Sequence, residues 1–236
     1  MPDLLLLHAA LGARSQFDAL AAELGDDYRL HSIDFEGHGA EPPSDRPFRI
    51  ESFAENVAAY LDREGLAGVD IFGYSMGGYV ALHLASTEPE RVGRVFTFGT
   101  KLRWDPDTAA REVRMLDPGK IREKVPHFAA ALEARHSGAG WESVLEKTAE
   151  MMLALGESSP LGDDEFAAIA HRVRLSVGDR DATVGPEETA GVYRLMPNAE
   201  LQVFPSTPHP FERVSMPMIA GAVRAFFTGK EKPPSH

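Results

Sequence analysis

The sequence, 236 residues long, contains no cysteine. That removes disulfide scaffolds, thiolate nucleophiles, iron–sulfur clusters and cysteine zinc sites together, and it fits a reducing compartment. Long hydrophobic runs are missing too. The first apolar run, residues 4–7, is only four residues long with an acid in front of it, unlike the basic flank and longer apolar stretch of a signal peptide. Nothing approaches the length of a membrane span. Positive charge is scarce: 24 Lys and Arg stand against 36 Asp and Glu, and the net charge of −12 repels nucleic-acid phosphates and anionic lipid at long range. These deficits lead us to expect a soluble, cytoplasmic protein with neither nucleic acid nor membrane as partner. What is present is enough apolar residue, 43%, to bury a full core without a metal or disulfide staple.

Short apolar runs at 4–7, 29–33, 69–72, 92–98, 173–177 and 201–204 alternate with longer amphipathic stretches. That order predicts strand–helix–strand crossover units, hence an α/β fold with a parallel sheet covered on both faces. Phe53, Val57, Tyr60 and Leu61 fall on one face of a helix, and further helices are expected near 15–24, 76–87, 187–196 and 214–227. The alternation stops after Thr100 and resumes near His171. The intervening stretch reads as helical pieces punctuated by Pro106, Pro118, Pro126 and Pro160, and it holds both tryptophans, Trp104 and Trp141. The expected organisation is therefore a core of residues 1–100 and 171–236 with a helical cap inserted at 101–170. Residues 230–236 read as a frayed end.

Residues 73–78, Gly-Tyr-Ser-Met-Gly-Gly, follow one apolar run directly and open a helical pattern. A sharp strand-to-helix turn holds Ser75 in a strained conformation, and the flanking glycines let strand and helix approach closely. The Met76 N–H, at the helix start, is free to meet an oxyanion. The bland alternative is a glycine-rich turn with an idle serine.

On these residues the chain resembles the α/β-hydrolase superfamily over nearly its whole length. The resemblance implies a nucleophile, acid and histidine in that chain order. The acid comes 106 residues after Ser75 in Gly178-Asp179-Arg180-Asp181, at the end of a predicted strand. The family pattern, with the acid three residues after such a glycine, selects Asp181; Asp179 is the alternative, and a solvated acidic turn is the bland reading of both. His209 lies 28 residues beyond Asp181, after the last predicted strand, and matches the family's histidine loop. The segment His8-Ala9-Ala10-Leu11-Gly12 looks like the family's His-Gly-x-x-Gly loop, which implies Ala10 as a second oxyanion donor beside Met76. His8 is then structural. Residues 34–39, Asp-Phe-Glu-Gly-His-Gly, resemble a family turn, with His38 stabilising the turn rather than binding a metal. No cofactor or metal is implied. The sequence departs from the pattern in three ways. Ala9 replaces the glycine of the His-Gly pair. Pro208 and Pro210 flank the histidine. The chain also enters its first strand at once, so a minimal sheet of six parallel strands in the order 2-1-3-4-5-6 is expected.

A serine at position 75 removes the branches of the superfamily that use an aspartate nucleophile, the haloalkane dehalogenases and epoxide hydrolases. Hydrolysis of a small carboxylic ester through an acyl-enzyme remains, with thioester, lactone and C–C bond cleavage as siblings on the same triad. A receptor that keeps the site without turnover is the reading from another class. The insert is short and well charged, which suits small acyl substrates better than a lipid surface. Lys101, Trp104 and His127 are candidate substrate contacts, with Arg103, Phe128, His136 and Met152 also able to line the cap. For Lys101, a solvated charge at a strand end is the alternative.

Overall fold

Leu4, Leu5, Leu6 and Leu7 are all buried because β1 (Asp3–Leu7) is covered on both faces. Successive side chains alternate across a strand, so Leu5 and Leu7 enter one core while Leu4 and Leu6 enter another. The structure, a computed structural model, describes residues 1–228. The frayed end expected at 230–236 lies outside them. The remaining strands are β2 (Arg29–Ser32), β3 (Val69–Tyr74), β4 (Val92–Phe98), β5 (Val173–Gly178) and β6 (Ala199–Phe204). All pairings are parallel, in the spatial order β2-β1-β3-β4-β5-β6, as the sequence predicts.

One face of the sheet is covered by α1 (Asp18–Leu24) and α10 (Met216–Thr228), which enclose an aromatic core containing Phe17, Phe72, Phe96, Phe98 and Phe226. The other is covered by α2 (Ile50–Glu64), α3 (Met76–Thr87) and α9 (Pro186–Tyr193). In α2, Ile50, Phe53, Ala54, Val57, Ala58 and Leu61 recur at helical spacing and are buried. The helix stops at Gly65, whose left-handed φ of 65° suits only glycine comfortably, with its N–H donating back to the last turn. Tyr60, expected on the buried face, is half-buried because its hydroxyl pairs with His31 Nδ1 at 2.8 Å. The helix expected at 187–196 ends at Tyr193.

Between β4 and β5 the chain forms α4 (Pro106–Val113), α5 (Pro118–Lys124), α6 (Pro126–Arg135), α7 (Trp141–Glu157) and α8 (Asp163–Ala168). Pro106, Pro118 and Pro126 each open a helix, where a missing N–H costs nothing. Asp105 and Asp117 cap two of these starts by accepting from the backbone N–H of Thr108 and Lys120, at 2.7 and 3.0 Å. Gly156 lets α7 press on α4, since a Cβ there would stand 2.6 Å from the Ala109 methyl. Val144, Met151 and Leu155 of α7 join the same core as α2 and α3, so this segment packs continuously with the sheet layer. Among the described residues, no helix is long and apolar enough to cross a membrane.

Candidate active site

Ser75 follows β3 and precedes α3 with φ 52° and ψ −118°, a region an L-residue rarely enters. The surroundings enforce that conformation. The Ser75 N–H donates to the Phe98 carbonyl at 2.9 Å, and the Thr100 hydroxyl donates to the Ser75 carbonyl at 3.0 Å. The glycines around it are there for space: a Cβ at Gly73 would sit 2.5 Å from the Gly78 Cα, and one at Gly77 would overlap the Leu7 carbonyl. As the first residue of α3, Met76 has no intrahelical acceptor for its N–H.

The acidic turn after β5 separates its two carboxylates. The Asp181 side chain is fully buried, and its Oδ2 lies 2.7 Å from His209 Nδ1. Its Oδ1 accepts the N–H groups of Thr183 and Val184, both at 2.8 Å, so the carboxylate is held on both oxygens. Asp179 instead accepts the Thr207 N–H at 3.1 Å and anchors the start of the histidine loop. Two residues missing from the sequence reading complete the mount. Tyr74, next to Ser75, donates its hydroxyl to the His209 carbonyl at 2.7 Å, and burial pushes that phenol well above its ordinary pKa. Gly99, at φ 59°, leaves room for the pair: a Cβ there would approach Asp181 Oδ2 and His209 Nδ1 to 3.3 Å each. Because Ser75 bonds to Phe98 and His209 packs over Tyr74 and Gly99, β3 and β4 bring the Ser75 and His209 side chains to one end of the sheet.

Ala10, Ser75, Met76, Lys101, Trp104 and Met152 line a single cavity, together with Ile50, Tyr79, Glu112, Met151, Leu155 and Thr183. Its wall is predominantly apolar, and α4 and α7 supply one side of it. Lys101 is engaged: Nζ lies 3.3 Å from both Glu188 Oε2 and the Thr183 carbonyl and 6.0 Å from the Trp104 ring centre. Glu188 also accepts the Leu102 and Arg103 N–H groups at 2.7 and 3.0 Å, a role nothing in the sequence signals. His127 departs from expectation. It is exposed on α6, a helix that turns Ala129 and Leu132 inward instead, and it is absent from the cavity wall; Phe128 is exposed beside it.

Three buried histidines surround the loop that carries Ala10. The Phe35 N–H donates to His8 Nε2 at 3.1 Å, which leaves the His8 proton on Nδ1, 2.7 Å from the Ala9 carbonyl. His38 Nε2 lies 2.8 Å from the Ala10 carbonyl. His136 Nε2 lies 3.2 Å from the Leu11 carbonyl. Burial holds all three below the usual histidine range, His8 well below it and His136 at about 4, so at neutral pH they are uncharged, and the His38 ring, with the Ala10 carbonyl at Nε2 and the Glu36 carbonyl 3.1 Å from Nδ1, donates to one of the two.

A parallel sheet with helices on both faces, a serine strained between strand and helix, and an acid–histidine pair beyond later strands together define an architecture of the hydrolase type. The chain belongs to the alpha/beta hydrolase fold family, whose sequence pattern matches residues 2–160. It is similar to a pimeloyl-[acyl-carrier protein] methyl ester esterase of Neisseria meningitidis serogroup B, at 38% identity over 96 residues, covering 39% of this chain and 35% of the relative. A protein of the same name from Chromobacterium violaceum matches at 27% identity over 154 residues, 65% of this chain and 53% of that one. The matches thus span about a third to a half of the length of these curated relatives. Among solved structures, a thermophilic esterase from Thermogutta terrifontis superposes with a TM-score of 0.79 at 23% identity, over 98% of this chain and 91% of that one, which is a likeness of fold.

Proposed function

We propose that this chain is a serine hydrolase that cleaves small carboxylic esters through an acyl-enzyme. The observation that carries the reading is the 2.7 Å contact between the buried Asp181 side chain and His209 Nδ1 at the sheet end where Ser75 is held strained. Asp181 orients the imidazole with Nδ1 protonated, so Nε2 is free to take the Ser75 proton. The Ser75 Oγ attacks the ester carbonyl, and the tetrahedral oxyanion is received by the N–H groups of Met76 and Ala10. The intermediate collapses with loss of the alkoxide, which takes the proton from His209 and leaves as an alcohol. Water then adds to the acyl group with His209 again as base, releasing the carboxylic acid and restoring Ser75.

In this reading residues 101–170 act as a cap and the rest as the hydrolase core. The apolar wall of Met151, Met152, Leu155, Ile50 and Trp104 suits a small apolar acyl or alkyl group. The match to methyl ester esterases supports the ester class. We place Trp104 among the substrate contacts, and Lys101 at the rim as a tether for the Glu188 carboxylate; His127 drops out on its exposure. Steady-state hydrolysis of a series of short-chain p-nitrophenyl esters tests the proposal. Multiple turnover is expected, with a loss in Ser75→Ala on the order of 10⁴-fold or more. Single acylation without turnover, or equal rates in the variant, would overturn it.

A further inference from the structure

The loop opposite Ser75 has all three of its central carbonyls tied. The Ala9 carbonyl accepts the Gly12 N–H at 2.9 Å and meets His8 Nδ1, and the Ala10 carbonyl meets His38 Nε2. The Leu11 carbonyl accepts from two residues at the end of α6, Arg135 Nη1 at 2.7 Å and His136 Nε2 at 3.2 Å. The His136 tautomer is fixed by Gly39, whose N–H donates to Nδ1 at 3.0 Å and leaves the proton on Nε2. Arg135 extends a second arm to Glu212 at 3.1 Å, three residues beyond His209. Gly138 seats this part of the insert, donating to the Gly39 carbonyl at 3.2 Å, where any Cβ would collide with the backbone of 40–41.

In a planar peptide the C=O and the following N–H point in opposite directions. Tying the Ala9 carbonyl therefore aims the Ala10 N–H the other way, and Ala10 lines the cavity with Ser75; the ties on the Leu11 carbonyl fix the Leu11–Gly12 peptide, whose Gly12 N–H in turn holds the Ala9 carbonyl. We propose that Arg135 and His136 are positioning residues for the oxyanion donor at Ala10, so that the insert between β4 and β5 holds the donor loop in place as well as walling the cavity. The proposal rests on the reading of Ser75 as an acyl-transfer nucleophile. A peptide free to turn would present a carbonyl to the oxyanion, and loss of one donor of this kind costs roughly 10²–10³-fold in rate.

The test pairs two substitutions at position 136. In His136→Gln the side-chain amide can still donate to the Leu11 carbonyl, whereas the shorter amide of His136→Asn can serve Gly39 but falls short of Leu11. With a p-nitrophenyl ester, His136→Asn should lower kcat roughly ten- to hundredfold, part of a full donor's worth, with KM little changed. Affinity for a trifluoromethyl ketone, which forms a stable oxyanion on the serine, should fall by the same factor as kcat/KM. His136→Gln should recover most of both. A lower Tm in His136→Asn with wild-type kcat and ketone affinity would mean a structural role alone and would overturn the proposal. If His136→Asn does not fold, Arg135→Lys takes its place: one ammonium cannot hold both Leu11 and Glu212, so kcat should fall, and a wild-type kcat contradicts the role. A wild-type protein that neither turns over esters nor binds the ketone would instead refute the serine-hydrolase reading itself.

Discussion

At the scale of single residues, the proposed mechanism divides the site into groups that touch the reacting atoms and groups that hold them. Asp179 and Asp181 lie two positions apart, yet one meets the Thr207 N–H and the other the His209 ring. Asp181→Asn should therefore lower kcat by roughly 10⁴-fold, because the amide favours the wrong imidazole tautomer, as in other triads. Asp179→Asn should cost far less in kcat and show mainly as lower Tm. Equal kcat losses would assign the acid wrongly. Lys101 makes the opposite case. Its ammonium and the Glu188 carboxylate are both largely buried, so Lys101→Met leaves a carboxylate without its cation. We expect a lower Tm and the same change in kcat/KM for anionic and neutral esters. A selective loss on anionic esters would restore Lys101 to substrate binding. The sequence made Ser75 legible because a local string states it. Tyr74, Glu188 and Arg135 were not legible, because their partners lie 135, 86 and 124 residues away and no local pattern marks them.

At the scale of elements, the turn from β3 into α3 is the mechanical centre. Gly77 faces the Leu7 carbonyl and Gly73 faces Gly78, so β1, β3 and α3 meet with no room for a methyl group. Gly77→Ala should either shift α3 or strain β1, and we expect a clear fall in Tm together with loss of ester turnover. Wild-type stability in that variant would mean that the close approach is not required. Strands and helices around this turn were readable from periodicity: the order of the six strands follows from the apolar runs, and α2 shows its buried face in the spacing of Phe53, Val57 and Leu61. The segment between β4 and β5 was readable only in outline. Pro106, Pro118 and Pro126 look like breaks in sequence but begin helices in the fold, because a proline is equally suited to ending one element and starting the next. The exposure of His127 and the burial of His136, nine residues on, depend on which face of α6 meets the loop at 39–41, and that is a tertiary fact.

At the scale of the whole molecule, the buried histidines couple folding to pH. His136 is held at about 4 in the folded chain, chiefly by burial, and would titrate near 6.5 when unfolded. The groups that face it are His38, Arg135 and Asp34. The unfolded chain therefore binds more protons between these values, and stability is fully present above about 6.5 and declines as pH falls toward 4. His8 and His38 shift in the same direction and add to the slope. Urea unfolding from pH 7.5 to 4.5 should show that decline, and His136→Gln should flatten it in part; an unchanged slope would contradict the burial of a neutral His136. In the proposed mechanism the joint placement of β3, β4, β5 and the histidine loop turns a serine hydroxyl, by itself a poor nucleophile, into a good one. The most direct measurement is covalent labelling with a fluorophosphonate, with the adduct mapped by mass spectrometry in wild type, Ser75→Ala and His209→Ala. Stoichiometric labelling at Ser75 that disappears in both variants is the predicted result. Absence of labelling in the folded wild type, or labelling that persists in Ser75→Ala, would contradict the account.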